Sequence, residues 1–218
     1  MCVPKTVVIS PILGKIDTVF KNNLYNMSKI KSFKTKRLTW DETFMNLAVI
    51  TSKRTACKFH ETGSVVVDKD KKVISLGYNG PTAGDLHCID PGVGCAKVDG
   101  DPKTGKLKRC RGAHGEVNAI INAQDSRRLK GATIYTVLFP CYDCMKALNN
   151  AGIKEIVYME KYERIKEGGK ETETEDESME LAEMRNIIIR KYEGPLYCSF
   201  PQEYNTKVSD HCTNCNCN

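Results

Sequence analysis

The feature that most constrains this chain lies between Cys110 and Met145. His114-Gly115-Glu116 is followed, 27 residues after the histidine, by Cys141-Tyr142-Asp143-Cys144, with Pro140 in front. One imidazole and two thiolates give a divalent metal three protein ligands and leave a fourth position open for water. That is the arrangement of a catalytic rather than a structural zinc. Cys141 and Cys144 stand three apart, so on a helix both sulfurs face one way. A helix N-terminus there favours the thiolate. Pro140 suits the entry to such a helix and Gly152 its end. His114 opens another helix. The three ligands meet only if two helix N-termini come together over a sheet. Ala132–Val137 and Glu155–Met159 are rich in β-branched residues and read as strands. The order strand–helix–strand–helix–strand implies parallel pairing with helical crossovers, an α/β fold.

The rest of the chain supplies the other elements. Thr39-Trp40-Asp41-Glu42 is a capping box. Phe44, Leu47, Ala48 and Thr51 recur at helical spacing, predicting an amphipathic helix to about Lys58. Ser64–Val67 and Val73–Tyr78 read as a hairpin around Asp68–Lys71. Gly77-Tyr78-Asn79-Gly80-Pro81 is a sharp loop, and residues 82–112 form a long irregular insertion. Glu171–Glu177 holds five acids and two threonines and reads as an exposed loop. A final helix is expected from Met179 to about Lys191, with Leu181, Met184, Ile187 and Ile188 on one side. The expected organisation is a basic extension over 1–38, a catalytic domain over 39–194 and a Cys-rich tail over 195–218.

Charge and cysteine usage narrow the function. The chain has 218 residues and a net charge of +6. Residues 1–37 hold eight Lys/Arg and one acid, so the remainder is close to neutral at −1. A near-neutral catalytic domain in a chain that is 7% aromatic overall does not resemble a groove for single-stranded nucleic acid. The short N-terminal apolar run from Val7 includes a possible strand at Val7–Ile9 and makes a poor secretory signal. No apolar run is long enough to span a bilayer. Eleven cysteines is an odd number. Without a secretory signal it favours metal binding in a reducing compartment, hence a cytoplasmic protein.

Glu116 explains why the metal pattern reads as catalysis rather than as a zinc module that binds a partner. Zinc in such a site lowers the pKa of its water to about 7. A carboxylate two residues beyond the histidine can take a proton from that water and return it to the reacting ring and the departing amine.

The combination H-x-E…P-C-x-x-C is the signature of zinc-dependent nucleobase deaminases. The chain resembles the deoxycytidylate (dCMP) deaminases of the cytidine deaminase superfamily. The resemblance rests on Trp40-Asp41-x2-Phe44-Met45, Ser52-Lys53-Arg54, Gly77-Tyr78-Asn79-Gly80 and His114-x-Glu116-x-Asn118-Ala119-Ile120. It continues through Ala132-Thr133-Ile134-Tyr135, Phe139-Pro140-Cys141-x2-Cys144 and Ala151-Gly152-Ile153. It implies a three-layer α/β fold, a mixed sheet of about five strands flanked by helices. It implies zinc on His114, Cys141 and Cys144, with Glu116 as proton shuttle in converting dCMP to dUMP and ammonia. It also implies dCTP and dTTP as effectors and a homo-oligomer, a hexamer in many members. The alternative substrate is dCTP, alone or with dCMP, and less so cytosine in single-stranded nucleic acid. Asn79 looks like the residue that holds the deoxyribose. Arg54 is either a phosphate partner or a solvated helix-end residue, and Tyr158 either lines the pocket or packs in the core. Gly115 departs from the family pattern, which usually has alanine there.

Cys57, Cys88, Cys95 and Cys110 resemble extra cysteines of one bacterial and phage branch, some members of which bind a structural zinc. Four thiolates closing on zinc would also order a long loop with little apolar material. His87 is an alternative ligand, and four free thiols are the alternative state. Cys212, Cys215 and Cys217 beside His211 have ligand-like spacing but sit in a polar tail.

Overall fold

The computed structural model describes residues 37–101, 103–161 and 174–198. The strand expected at Val7–Ile9, the basic arm through residue 36 and the tail cysteines from Cys212 onward lie outside them.

Thr39 starts the first helix, α1 (Trp40–Ser52), as the spacing predicts. Its hydroxyl accepts from Glu42 N at 3.1 Å, and the Glu42 carboxylate accepts from Thr39 N at 2.7 Å. This reciprocal pair satisfies two N–H groups that the helix itself cannot. The helix stops at Ser52, short of Lys58. The chain turns away because the Thr55 side chain is bound to Asn79 rather than left on a helical surface.

The hairpin follows as β1 (Gly63–Val67) and β2 (Val73–Tyr78), antiparallel. Two short strands, β3 (Gly80–Pro81) and β4 (Gly112–Ala113), pair across the neck of the long insertion. Then come α2 (Gly115–Ile121), β5 (Thr133–Leu138), α3 (Tyr142–Ala151), β6 (Glu155–Glu160), α4 (Thr174–Met184) and β7 (Ile188–Lys191). The five-stranded sheet has the order β2-β1-β5-β6-β7. β5, β6 and β7 are parallel, whereas β1 lies antiparallel between β2 and β5. The crossover from β2 through α2 to β5 therefore skips one strand, and the sheet is mixed.

Alternation along the strands divides the core. Val65, Val67, Tyr135 and Val157 pack on one side with Phe44, Met45 and Ala48 of α1. Val66, Ile134 and Ile156 pack on the other with Ala119 of α2, Met145 and Leu148 of α3, and Ala182 of α4. Burial of each such aliphatic side chain contributes about 1.5–3 kcal/mol, so one-residue register slips are strongly disfavoured. The three layers set α2 and α3 side by side on one face.

The C-terminal third departs from the sequence reading. α4 begins at Thr174, inside the acidic stretch expected to be loop, and ends at Met184. Asn186 then adopts a left-handed conformation, φ 53°, which a helix cannot continue. Ile188–Lys191 pair with Glu155–Tyr158 as the edge strand. Beyond it, Asn46 of α1 donates to Pro195 O at 3.2 Å and accepts from Tyr197 N at 2.6 Å, which docks this segment on α1. No helix among the described residues is long and apolar enough to cross a membrane.

Candidate active site

His114 and Cys141 occupy equivalent places, each the residue capping a helix start, α2 and α3 respectively. Both adopt extended backbone there, which turns the side chains out of the helices toward each other. Gly152 ends α3 in the left-handed conformation, φ 85°, as the sequence requires of it. His114 Nδ1 lies 3.3 Å from Cys144 Sγ and 3.4 Å from Cys141 Sγ. The three donor atoms all fall within 4.8 Å of one another.

These separations fit zinc. Bond lengths of about 2.1 Å to nitrogen and 2.3 Å to sulfur give a tetrahedral N···S edge of about 3.6 Å. The protonation states fit as well. A hydrogen bond from Cys144 holds the Cys141 thiol down at about 4, and the same bond, with burial, pushes Cys144 up. Two sulfurs thus share a proton in a place where a divalent cation would take its role. His114, Cys141 and Cys144 could hold the metal.

Glu116 stands on the first turn of α2 and is buried. Its carboxylate lies 3.7 Å from Cys144 Sγ. Burial raises its pKa, opposed by the His114 charge nearby. A carboxyl whose protonated form burial favours suits acid–base work.

Two contacts seat α2 on the sheet, and neither was legible in the sequence. Asn118 and Asn122 donate to Tyr78 O and Leu76 O, both at 2.8 Å, capping carbonyls along the outer edge of β2. Gly77 of β2 meets the helix backbone so closely that an added Cβ would lie 2.1 Å from Gly115 O. The only hint was two asparagines at i, i+4 in a helix, where asparagine is a poor choice. Gly115 is different, since a Cβ there would sit 3.4 Å from its neighbours, an ordinary contact. The alanine usual in this position would fit.

A cavity of about 160 Å³ opens above this group, with His114, Glu116 and Cys141 in its lining. Phe59, His60, Thr62, Asn79 and Phe139 form other walls. Asn79, expected to hold the deoxyribose, is in the cavity lining, and its amide is oriented. Oδ1 accepts from the Thr55 hydroxyl at 2.6 Å and from Thr62 N at 3.0 Å, while Nδ2 donates to His60 O at 2.9 Å. With the oxygen committed inward, the second Nδ2 hydrogen is what the amide has to offer a ligand.

Arg54 and Tyr158 are placed elsewhere. Arg54 is exposed and Tyr158 is buried in the core, edge-on to Phe139 with ring centres 5.0 Å apart. Neither lines the cavity. Cys57, Cys88, Cys95 and Cys110 do line it, though among the described residues the set within metal-ligand reach is His114, Cys141 and Cys144. His87 is exposed beside Asp90 at 3.9 Å and is not in the lining. Thr55, Phe59, His60 and Lys97 lie in loops without periodicity, and no sequence signal marked them.

Comparison with known proteins agrees with this geometry. The profile described as "Cytidine and deoxycytidylate deaminase zinc-binding region" matches residues 38–160. The chain is 36% identical over 131 residues to the deoxycytidylate deaminase of Mycobacterium phage D29, covering 56% of this chain and 95% of that one. It is 30% identical over 178 residues to the deoxycytidylate deaminase of Saccharomyces cerevisiae, covering 78% of this chain and 52% of that relative, so it spans about half of the yeast protein's length. Among solved structures, the dCMP deaminase of cyanophage S-TIM5 in complex with dCMP and dUMP shares the fold, with a TM-score of 0.53 and 21% identity over 72% of this chain and 99% of that one. With the profile spanning both helix starts and the strands that carry them, the chain belongs to the cytidine and deoxycytidylate deaminase family of zinc-dependent enzymes.

Proposed function

We propose that the protein deaminates dCMP to dUMP, consuming water and releasing ammonia. The observation that carries this is a His-Cys-Cys donor set with a buried glutamate beside it, opening into one cavity that Asn79 also lines. The relatives named deoxycytidylate deaminase support the choice of nucleotide. Zinc, when bound by His114, Cys141 and Cys144, supplies a Lewis acid that brings a water within reach of deprotonation near neutral pH. Glu116 accepts that water's proton and delivers it to the ring nitrogen. It then carries the proton left on the added oxygen to the amino group, the C–N bond breaks and ammonia leaves. Burial keeps the carboxylate out of competing hydrogen bonds with solvent. Asn79 offers its remaining N–H to a sugar oxygen, and the fixed amide orientation selects an acceptor. dCTP and dTTP are the proposed effectors, and a homo-oligomer the proposed state.

The test is direct. The purified protein is incubated with dCMP, dCTP, deoxycytidine and a cytosine-containing oligonucleotide, with and without dCTP and dTTP, and the ammonia or uracil product is measured. Turnover of dCMP is expected to dominate. No turnover of any free nucleotide would overturn this reading, and a preference for dCTP would move it to the triphosphate.

The loop cysteines complete the proposal as ligands of a second, structural zinc. Cys57 Sγ accepts from Phe59 N at 3.5 Å, and Cys110 Sγ accepts from Gly112 N at 3.3 Å. N–H groups pointing at sulfur two residues back stabilise thiolates. Burial raises the Cys57 and Cys88 thiols, so in the absence of a cation they hold their protons. Elemental analysis is expected to give about two zinc ions per chain, falling to about one when Cys88 and Cys95 are replaced by serine. A single zinc in the unaltered protein would remove the second site.

A further inference from the structure

An amide recognises a ligand reproducibly only if it is always presented the same way, and the groups that hold Asn79 come from residues 55–62, just beyond α1. Thr62 N donates to Asn79 Oδ1 at 3.0 Å, and Asn79 Nδ2 donates to His60 O at 2.9 Å. Turning the amide over would set N–H against N–H and oxygen against oxygen, so the backbone decides which end is which. That leaves Oδ1 one further lone pair, and the Thr55 hydroxyl meets it at 2.6 Å. We infer that Thr55 is a positioning residue for nucleotide binding: by filling the last acceptor position on Asn79 Oδ1, it fixes the amide as a donor toward the sugar. This rests on the reading of Asn79 as the residue that holds the deoxyribose.

Three observations support the assignment. First, Thr55 is half-buried and lies outside the cavity lining, whereas Asn79 is part of that lining. It therefore reaches a ligand through the side chain it holds. Second, the direction of the hydroxyl is set. Its oxygen accepts from Cys57 N at 3.2 Å, which leaves its single proton to donate. Asn79 Oδ1 at 2.6 Å is nearer than Asn79 O at 2.8 Å or His60 O at 3.2 Å. Third, the backbone on both sides of the bond is held independently of it. Thr55 N donates to Ser52 O at 3.0 Å, Ala56 N to Asn79 O at 3.3 Å, Asn79 N to Thr62 O at 3.2 Å and Cys88 N to Ala56 O at 3.1 Å. The hydroxyl thus meets an amide that is already close and orders no further chain. With both lone pairs engaged, the amide offers a ligand an N–H and no acceptor. Without the hydroxyl, Oδ1 keeps one bond, and the amide gains freedom about a terminal torsion that is intrinsically broad.

The test separates positioning from folding and from chemistry. Binding of dUMP to the zinc-loaded protein is measured by titration calorimetry, with turnover of dCMP and thermal midpoints followed in parallel. The proteins are the unaltered chain, Thr55→Val, Thr55→Ala, Thr55→Ser, Asn79→Ala and the double variant Thr55→Val/Asn79→Ala. Loss of one neutral hydrogen bond corresponds to roughly a 3- to 10-fold change in Kd. Thr55→Val is expected to weaken dUMP binding and raise the KM for dCMP by that factor, with kcat near its original value. Thr55→Ala repeats the measurement with a smaller side chain, in case valine disturbs the turn. Thr55→Ser keeps the hydroxyl and should recover the affinity. In the Asn79→Ala background Thr55→Val should change Kd no further, because the side chain it positions is gone. A merely structural threonine would instead lower the thermal midpoint and give additive losses of affinity. Unchanged dUMP affinity in Thr55→Val and Thr55→Ala, additive losses in the double variant, or unchanged affinity in Asn79→Ala would each overturn the inference. If the two residues are coupled in dUMP binding but dCMP is not deaminated, the functional reading fails and the inference stands. If dCMP is deaminated and Thr55→Val binds dUMP as the unaltered chain does, the inference fails and the functional reading stands.

Discussion

Replacing Glu116 with glutamine is expected to lower kcat by roughly 10²- to 10⁴-fold, the range that a positioned acid–base group contributes, and toward its upper end because one carboxylate serves twice. The amide keeps the volume and fills the same buried space, so loss of activity is not confounded by a cavity. His114, Cys141 and Cys144 are untouched, and the variant should retain the same zinc content. Stability gives a second readout. Burial raises the pKa of Glu116, so the ionised form is disfavoured by folding. In the chain without metal, that penalty is absent at low pH and appears as pH rises through the interval from the unfolded to the folded pKa. Glu116→Gln has no such penalty, and its metal-free thermal midpoint should not lie below that of the unaltered chain at neutral pH. The assignment is removed by a glutamine variant that turns over at a near-native rate. It is also removed by one that loses its zinc, since Glu116 would then be acting as a ligand.

The chemistry of this protein was legible because it is local. Cys141-x-x-Cys144 and His114-x-Glu116 are each within one helical turn, and helix capping by Thr39 and termination at Gly152 are decided by neighbours in sequence. What decided the rest lies far along the chain. Ile187 and Ile188 extend the apolar period of Leu181 and Met184, so the pattern continues as a helix on paper. The left-handed Asn186 breaks it, and β6 recruits Ile188–Lys191 as a partner. A single sequence contains no mark of that pairing. On the resemblance, Arg54 reads as either a phosphate partner or a solvated helix-end residue. With α1 ending at Ser52, the arginine leaves on a turn and faces solvent. Tyr158 has the alternation of a strand residue, and alternation does not tell the inner face from a pocket wall. Lys97 sits in an insertion with no period at all. Its place in the cavity lining accompanies the pairing of β3 with β4 at the loop's neck and the Cys95–Asp99 turn.

Gly77→Ala is expected to damage both stability and the metal site. A Cβ at Gly77 would lie 2.1 Å from Gly115 O, 2.3 Å from Ala119 N and 2.8 Å from Ala119 Cα. All three are backbone atoms of α2, so no rotamer can relieve the contact, and the helix itself must move away from β2. That movement also lengthens the bonds by which Asn118 and Asn122 hold Tyr78 O and Leu76 O. Overpacking in a core costs about 1–3 kcal/mol, and an obstruction set against backbone belongs at the upper end. At about 2–4 °C per kcal/mol for a domain of this size, the thermal midpoint should fall by roughly 6–12 °C. The functional loss should exceed the thermal one. α2 carries His114 and Glu116 while α3 carries Cys141 and Cys144, so displacing one helix opens the N···S distances that suit zinc. Zinc affinity and kcat should therefore fall together, unlike in Glu116→Gln, where only kcat falls. Gly115→Ala is the control across the same interface. Its Cβ meets Gly77 O and Thr62 at 3.4 Å, and it should keep both zinc and activity. A Gly77→Ala protein with native melting and full zinc would mean that β2 and α2 do not meet at Gly77. The joint that aligns the two halves of the metal site would then have to be sought elsewhere.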